Sequence, residues 1–297
     1  MTIVPPTPGE PRRPEGPRNP GDAWVVADSG ERYWGRFGAA GLLAVDAERG
    51  ILLQHRVAWS HFGGTWGLPG GALHEDESAI AGARREAAEE AGVPADRVRP
   101  RVTSVLDLEI WSYTTVVADV RESFDPVISD PESVALEWVA IDEVAERPLH
   151  PGFGDAWPGL RALLGVRPAL VVDAANVVGS VPDGWWRDRA GAAGRLHAAL
   201  AGLAVPAGDL GLGGDVWFPE VSFVVEGQAK AFEPADDAVA VVRAPGEGDD
   251  AILAEAERLY AAGRAVTVVT SDRVLRERVE AVGAGVRPAG WLRGLLG

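Results

Sequence analysis

Three glutamates, Glu86, Glu89 and Glu90, lie at offsets of zero, three and four residues within an alanine-rich segment. On an α-helix, which turns by roughly 100° per residue, this spacing places all three carboxylates on one face. Like charges at these offsets repel each other, so a helix selected only for stability would not carry them. Hard carboxylate oxygens suit Mg²⁺ or Mn²⁺, and such a cation would neutralise the cluster. The sequence therefore predicts a divalent-metal site.

Capping residues bound the helix that must present these carboxylates. Acidic residues and a serine at positions 75–78 suit the positive end of a helix dipole, and Gly92 and Pro94 are typical of a helix end. A glycine-rich loop over residues 61–71, which contains a tryptophan, leads into the helix. The helix is therefore expected to follow this loop directly and to end at Gly92.

A longer pattern of fixed spacings runs through the same segment. Five residues separate Gly71 from Glu77, and seven separate Glu77 from Arg85. The pattern resembles the Nudix box, the signature of the Nudix hydrolases, and every fixed position of that box is filled. The matching residues are Gly71, Glu77, Arg85, Glu86, Glu89, Glu90, Gly92 and Val93.

The resemblance implies an enzyme that hydrolyses a nucleoside diphosphate linked to another moiety, with water attacking a phosphorus. Bound Mg²⁺ would screen the pyrophosphate charge and lower the pKa of its water. Glu89 and Glu90 are the first-choice metal ligands, followed by Glu86. The resemblance further implies that the Gly71 carbonyl completes the metal site. It also implies that Arg85 pairs with Glu77 or Glu86 and so holds the loop and helix in register.

Nudix enzymes take their catalytic base either from the box or from a later loop. Glu90 is our assignment for this chain. Three downstream carboxylates are alternatives, although each also fits a solvated loop or strand edge: Asp130, Glu132 and Glu137.

Residues before the box offer weaker signals. Arg56, near the end of an expected strand, is either a phosphate contact or an exposed charge. Trp66 is either a base-stacking residue or a packing anchor. His61, His74 and His150 lack metal-ligand spacing, and the sequence assigns them no role.

Composition sets the outer limits of function. With 297 residues, 46% of them hydrophobic, the chain is about two domains long. A net charge of −16 argues against a globally basic nucleic-acid or membrane-surface protein. The absence of cysteine excludes disulfides, zinc-thiolate sites and thiol nucleophiles. No apolar run approaches a membrane span and no signal peptide is evident, so the expected location is the cytoplasm.

The expected first domain covers residues 22–165, after a proline-rich tail over residues 1–21 that we expect to be disordered. Its pattern of strands and embedded helices resembles the Nudix α/β/α sandwich with a mixed sheet. Strands are expected near residues 23–26, 33–45, 51–57, 102–108, 113–120 and 135–141, and a closing helix near 157–164.

The pattern changes after Gly165–Pro168, which we interpret as the domain junction. Continuous apolar runs at 170–172, 221–225, 239–242 and 266–269 are typical of strands buried on both faces. Helical stretches at 194–203, 250–261 and 273–282 lie between and after these runs. Residues 168–297 therefore indicate a doubly wound, mostly parallel α/β domain.

Carboxylates mark the strand exits and helix starts of this second domain. Asp173 follows one apolar run, Asp249 and Asp250 open a helix, and Asp272 follows another run. In a doubly wound fold such points converge at the carboxyl edge of the sheet. The segments resemble the PIN-like, or NYN, nuclease domains, which implies a second Mg²⁺ site for phosphodiester hydrolysis. The alternative is that Asp173 and Asp272 are turn and cap residues.

An RNA partner for the second domain would need local basic character, because this domain is acidic as a whole. Two segments could supply a basic, aromatic surface for RNA or DNA. One is Trp185-Trp186-Arg187, and the other combines Arg273, Arg276, Arg278, Arg287, Trp291 and Arg293. These tryptophans fit packing anchors equally well.

Three hypotheses of function follow from these features. The first is a Mg²⁺- or Mn²⁺-dependent Nudix hydrolase, acting on a nucleotide-derived small molecule and fused to a PIN-like domain. The second is a metal-dependent ribonuclease whose Nudix domain senses a nucleotide. The third is a nucleotide-binding regulator without turnover, against which the intact box weighs.

Overall fold

The computed structural model describes residues 1–6 and 21–297. The described chain divides into two compact units, Met1–Leu164 and Gly165–Gly297. Within the segment expected to be a disordered tail, Thr2–Val4 form a strand that pairs with Trp24–Val26. Most of that expected tail, residues 7–20, lies outside the described residues.

In its described residues, the first unit combines strands with two α-helices. Its strands are β1 (Thr2–Val4), β2 (Trp24–Val26), β3 (Arg32–Trp34), β4 (Ala39–Asp46), β5 (Gly50–Arg56), β6 (Trp66–Gly67), β7 (Gly70–Ala72), β8 (Val98–Asp107), β9 (Ser112–Val120) and β10 (Ser133–Val139). Its helices are α1 (Ala79–Ala91) and α2 (Pro151–Leu164), with a 3₁₀ turn at Val144–Glu146.

A mixed sheet forms the centre of this unit, with the order β10-β5-β4-β9-β8. The β4–β9 pair is parallel, and the β10–β5, β5–β4 and β9–β8 pairs are antiparallel. Short strand β7 adds to β4 and places Gly71 opposite Ala40 and Gly70 opposite Gly41. The glycine that begins the box pattern is therefore part of the sheet. Strands β1, β2 and β3 form a separate antiparallel sheet.

Two glycines divide what the sequence suggested was one strand over residues 33–45. Gly35 and Gly38 have φ angles of 102° and 91°, in a region that residues with a Cβ seldom adopt. The chain therefore turns between β3 and β4.

Helix α1 rests on the sheet through very small side chains. Ser78 caps its first turn by accepting the Ala81 N–H, and Gly92 ends it with a left-handed φ of 64°. Ala83 and Ala87 are fully buried in a cluster that includes residues of β4. Because these two side chains are short, the helix packs close to the sheet, and Glu90 of the same helix accepts the Gly70 N–H of β7.

The second unit alternates short strands with helices. Its strands are β11 (Pro168–Asp173), β12 (Val205–Pro206), β13 (Val216–Trp217), β14 (Glu220–Val225), β15 (Ala240–Arg243), β16 (Ala265–Val269) and β17 (Gly285–Arg287). Its helices are α3 (Ala174–Gly179), α4 (Arg189–Ala199), α5 (Ala207–Leu210), α6 (Gly248–Ala261), α7 (Arg273–Glu280) and α8 (Ala289–Leu296), with 3₁₀ turns at Trp185–Arg187 and Gly227–Ala231.

Five parallel strands form the main sheet of this unit in the order β15-β14-β11-β16-β17. Alternate residues of the central strand β11 enter two different cores. Leu170 and Val172 belong to one cluster, whereas Ala169 and Val171 belong to the other. The strand is therefore buried on both faces, as its continuous apolar run predicted.

No helix within residues 1–6 and 21–297 is both long enough and apolar enough to cross a membrane.

The close packing of α1 can be tested with two alanines on the same helical turn. Ala87 is fully buried, whereas Ala88 is exposed. We expect Ala87→Leu to lower the free energy of unfolding by about 1–3 kcal/mol, because the added atoms overpack the contact between helix and strand. Ala88→Leu should change it by less than about 0.5 kcal/mol. Urea denaturation followed by circular dichroism measures both values, and equal effects would contradict the described packing.

Candidate active site on the carboxylate helix

The Glu90 carboxylate is buried in the last turn of α1, where it accepts a hydrogen bond of 2.9 Å from the Gly70 N–H of β7. The pKa of Glu90 is raised to about 8, mainly by burial and next by the negative charge of Glu86. Glu132 acts in the same direction, whereas the Gly70 N–H and the charge of Arg56 oppose the rise. The carboxylates of Glu86 and Glu90 thus lie close together and are both buried from solvent.

The Glu86 carboxyl lies directly against the backbone of Gly71. A Cβ built on Gly71 would lie 2.7–2.8 Å from three atoms of that carboxyl group, closer than real Cβ contacts allow. A side chain at position 71 would therefore displace Glu86. The close approach gives a physical reason for glycine at this position of the box.

Arg85 connects the loop, the strand and the helix. Its Nε and Nη2 atoms donate to the two Glu77 oxygens at 2.9 and 2.8 Å, and Nη1 donates to Glu86 at 2.6 Å. It also donates to the Ala72 carbonyl at 3.1 Å. The hydrogen bonds from Arg85 lower the pKa of Glu77 to about 2. The sequence suggested Glu77 or Glu86 as the partner of Arg85, and in the structure Arg85 contacts both.

Glu89 is the most accessible of the three helix carboxylates. Its side chain is 40% exposed, and it lies 3.4 Å from Arg85 Nη1. Across the described residues, no group of three His, Asp or Glu side chains is already gathered closely enough to hold a metal ion. The donor set nevertheless fits a hard divalent cation, because it consists of carboxylate oxygens, and burial together with the charge of Glu86 raises the pKa of Glu90.

Arg56 and Tyr113 face the same carboxylates from other strands. The charges of both Glu90 and Arg56 act on the Tyr113 phenol, whose pKa is raised mainly by burial. A Cβ on Gly41 would lie only 2.1 Å from the Tyr113 hydroxyl, so this phenol occupies space that glycine leaves free. Sequence reasoning missed Tyr113. The available signal was Gly41, because a glycine inside an apolar strand often marks a close approach.

The alternative bases differ in their surroundings. Glu137 is in an ion pair with Arg147 at 2.9 Å. Asp130 accepts the backbone N–H of Glu132 at 2.7 Å within the loop before β10. Glu132 is close enough to Glu90 for its charge to raise the pKa of Glu90. The charge of Glu132 therefore acts on one of the helix carboxylates.

Trp66 is a packing residue. It is 6% exposed, its ring stacks on His55 with centroids 4.7 Å apart, and the Arg147 guanidinium lies 5.0 Å from its centroid. These contacts favour the packing alternative over base stacking.

His74 donates its backbone N–H to the Glu77 carboxylate at 3.0 Å.

In the second unit, Asp173 and Asp272 both lie at the carboxyl edge of the parallel sheet. Asp173 is buried at the end of β11 and accepts hydrogen bonds from the Asn176 N–H and the Thr270 hydroxyl at 3.0 and 2.9 Å. Asp272 caps α7 by accepting the Leu275 N–H at 2.8 Å. Both aspartates therefore act as cap residues, as one sequence hypothesis suggested.

The charges of other carboxylates act on the region of Asp173 and Asp272. Burial raises the pKa of Asp173, and the charges of Asp249 and Glu226 raise it further. The pKa of Asp249 is raised by burial and then by Asp272. Asp250 instead forms an ion pair with Arg278 at 2.6 Å. Its carboxylate is therefore engaged by a cation, in contrast to Asp249.

Glu226 was missed by sequence reasoning. It directly follows β14 and accepts the Gly248 N–H at 2.8 Å. The rule that selected Asp173, a carboxylate just after an apolar run, would also have selected Glu226.

Much of the expected basic, aromatic surface is occupied by contacts within the protein. Arg293 donates to the Val177 carbonyl at 3.0 Å, and Arg287 donates to the Asp209 carbonyl. Trp291 donates its indole N–H to the Asp209 carboxylate at 2.9 Å. The indole of Trp186 is 52% exposed.

Comparison with known proteins assigns the first unit to a family. A model of the NUDIX domain matches residues 35–159. A protein of Mycobacterium tuberculosis described as "Putative 8-oxo-dGTP diphosphatase 3" is 53% identical over 154 residues, which span 48% of this chain and 70% of that protein. The chain belongs to the Nudix family. It is a Nudix-type nucleotide pyrophosphohydrolase, so the hypothesis of a regulator without turnover is set aside.

Two further matches fall within the same family. A "Nucleoside triphosphate pyrophosphatase/Nudix hydrolase fusion protein" of Bifidobacterium longum is 39% identical over 158 residues, or 50% of this chain and 33% of that protein. The crystal structure of RenU, a Nudix hydrolase from M. smegmatis, shows 46% identity, covers 48% of this chain and 95% of that one, and has a TM-score of 0.45. The family model ends before the second unit, whose PIN-like character stays a prediction.

The ion pair between Arg85 and Glu77 in this Nudix site predicts a pH-dependent stability. The folded-state pKa of Glu77 is about 2, below its usual value of about 4.3. We expect Glu77→Gln to lower the free energy of unfolding by about 2 kcal/mol at pH 7 in metal-free buffer. Because the lowered pKa stabilises the fold above the unfolded-state value, this difference should shrink as the pH falls from about 4.3 towards about 2.

Glu75→Gln is the matched control for this measurement, because Glu75 is exposed in the same loop. Urea denaturation at a series of pH values should show a difference from wild type for Glu77→Gln only. A constant difference across the acidic range would mean that the ionised Glu77 carboxylate is not what Arg85 stabilises.

Proposed function

We propose that the first unit hydrolyses a pyrophosphate bond in a nucleoside diphosphate linked to another moiety, with Mg²⁺ or Mn²⁺ held by Glu86, Glu89 and Glu90. The observation that carries this proposal is the burial of Glu90 beside Glu86, which raises the pKa of Glu90 to about 8. A cation bound there would remove the repulsion that now favours a proton. When bound, it would screen the phosphate charge and lower the pKa of a water molecule.

The protein residues then have separate roles in our proposal. The Gly71 backbone and the Arg85 side chain set the position of Glu86 relative to the strand. We assign Glu90 as the base that accepts a proton from the attacking water, with Glu132 as the alternative. Arg56 contacts a substrate phosphate, because its guanidinium lies close enough to the carboxylates to affect Glu90.

For the substrate, we propose an oxidised purine deoxynucleoside triphosphate. The support is the identity of 53% to the M. tuberculosis protein, whose description names 8-oxo-dGTP. Such a molecule contains a nucleoside diphosphate linked to a further phosphate, as the box pattern implies. A screen with Mg²⁺ against 8-oxo-dGTP, dGTP, nucleotide sugars and dinucleoside polyphosphates would identify the preferred class.

Replacing Glu89 or Glu90 by Gln removes a charged oxygen while keeping side-chain volume. We expect kcat to fall by more than about tenfold, which corresponds to about 1.4 kcal/mol of transition-state stabilisation, with an unchanged circular dichroism spectrum. Glu75→Gln is the matched control, because Glu75 is an exposed glutamate in the loop before α1 and should leave kcat unchanged. Retention of more than about a tenth of the activity by both helix variants at saturating Mg²⁺ would refute the assigned metal role.

We propose a second metal site in the second unit, formed by Asp173, Asp249 and Asp272 and serving phosphodiester cleavage of RNA. The observation in its favour is that the Asp173 and Asp249 pKa values are both raised, mainly by burial and then by neighbouring carboxylates, at the carboxyl edge of a parallel sheet. Glu226 contributes to both shifts and joins the proposed set. Asp250, also in the predicted set, is the least suited, because Arg278 already pairs with it.

The second site predicts a specific pattern of loss. With a short single-stranded RNA and Mg²⁺, Asp173→Asn or Asp249→Asn should reduce cleavage by more than about tenfold, because each removes a charged ligand. Asp250→Asn should have a smaller effect, and pyrophosphohydrolase activity should stay at the wild-type level in every variant. RNA cleavage that survives the triple substitution of Asp173, Asp249 and Asp272 would contradict this proposal.

A further inference from the structure

The loop between β5 and β6 presents two aromatic side chains to solvent. Trp59 is 44% exposed and Phe62 is 46% exposed. Phe62 also has a φ of 55°, in the left-handed region that non-glycine residues with large side chains seldom occupy. A strained backbone that holds an aromatic ring in solvent is a feature typical of a binding site.

Neighbouring groups hold Phe62 in this position. Its ring centroid lies 4.2 Å from that of His61 and 4.8 Å from that of His150, the latter with the planes at 82°. Thr65 donates its hydroxyl to the Phe62 carbonyl at 2.6 Å. We call His61, Phe62 and His150 the aromatic lip. Trp59, in contrast, contacts no other aromatic ring of the described chain.

Arg56 links the aromatic lip to the carboxylate site. Its Nε donates to the His61 carbonyl at 3.3 Å, which ties the lip to the end of β5. Its charge also reaches Glu90 on the other side. Burial, together with the charges of Arg56 and His61, lowers the pKa of His150 to about 4, so this imidazole is neutral at pH 7. Phe62 and His150 thus offer uncharged ring surfaces next to the Arg56 cation.

The chemical groups of a nucleotide match this arrangement of a cation beside uncharged rings. Its phosphates carry negative charge, and its base is a flat ring system at the other end of a sugar. Phosphates that contact Arg56 and the carboxylate-bound cation would leave the base to one side of Arg56, and the lip lies beside Arg56. A phenyl ring has no hydrogen-bonding group, so it would recognise the face of a base rather than its edge.

We propose that Phe62, held by His61 and His150, stacks against the base of the nucleotide substrate and contributes binding energy that the phosphate contacts alone do not supply. This inference rests on the proposed function of the first unit. It makes Phe62 a determinant of nucleotide affinity with no part in the chemical step.

Isothermal titration calorimetry with Mg²⁺ tests this role on the full chain. The probes are an α,β-imido analogue of dGTP, which resists cleavage between its α and β phosphates, and inorganic tripolyphosphate, which has no base. Phe62→Leu should weaken binding of the analogue by about tenfold and leave tripolyphosphate binding unchanged, because only base stacking is lost. Phe62→Tyr keeps the ring and should bind the analogue as wild type does.

Trp59→Leu is the matched control, because it removes an equally exposed aromatic ring from the same loop. It should change the affinity for neither probe. Leucine and phenylalanine are equally strained at a φ of 55°, and circular dichroism spectra that match wild type exclude unfolding as the cause of weaker binding.

Several results would overturn the stacking role of Phe62. They are unchanged binding of the dGTP analogue by Phe62→Leu, equal weakening of both probes, equal effects of Phe62→Leu and Trp59→Leu, or no binding of the analogue by wild type.

A hydrolysis assay of the wild-type chain distinguishes a failure of this inference from a failure of the proposed function. Hydrolysis without a Phe62 effect on binding refutes the lip alone. A selective Phe62 effect in a chain that hydrolyses none of the screened nucleotides refutes the assigned activity alone.

Discussion

The close approach of helix α1 to the glycine backbone of β7 is the constraint on which the active site depends. Ala83 and Ala87 allow the helix to lie close to the sheet, and Gly71 leaves room for the Glu86 carboxyl. The Gly70 N–H then meets Glu90 at 2.9 Å. Larger side chains at any of these positions would separate the carboxylates from the strand, so packing and chemistry impose the same requirement for small residues.

This constraint also explains why Arg85 contacts so many groups. Two acidic side chains pressed against a strand need compensating positive charge, and Arg85 supplies it from within the helix while holding Glu77 of the preceding loop. The loop is thereby fixed relative to α1. A bound cation would share the same carboxylates, so the charge balance of the site is set jointly by the arginine and the ion.

Features encoded by local spacing were the ones that could be predicted from the sequence. Helix α1, its Ser78 and Gly92 caps and the shared face of its glutamates follow from 3.6-residue periodicity and capping chemistry. Tyr113 could not be placed in the same way, because its position depends on the parallel pairing of β4 with β9. The turn at Gly35 and Gly38 depends on backbone angles that the apolar pattern of residues 33–45 conceals.

The second unit follows the same distinction. The apolar run of β11 already indicated that this strand is buried on both faces. A charged residue does not fit inside such a strand, so Asp173 lies at its end. The partner of each carboxylate was not evident, because the pairing of Asp250 with Arg278 joins two helices distant in sequence. Hydrogen bonds from Thr270 and Asn176 likewise depend on the register of β16 beside β11.

We propose above that the carboxylate face of α1, held against β7, binds a divalent cation. Anomalous X-ray scattering from crystals grown with Mn²⁺ tests it most directly. We expect a manganese peak within coordination distance of carboxylate oxygens from at least two of Glu86, Glu89 and Glu90, next to the Gly71 backbone. A manganese peak elsewhere in the first unit, with no peak at these carboxylates, would contradict it.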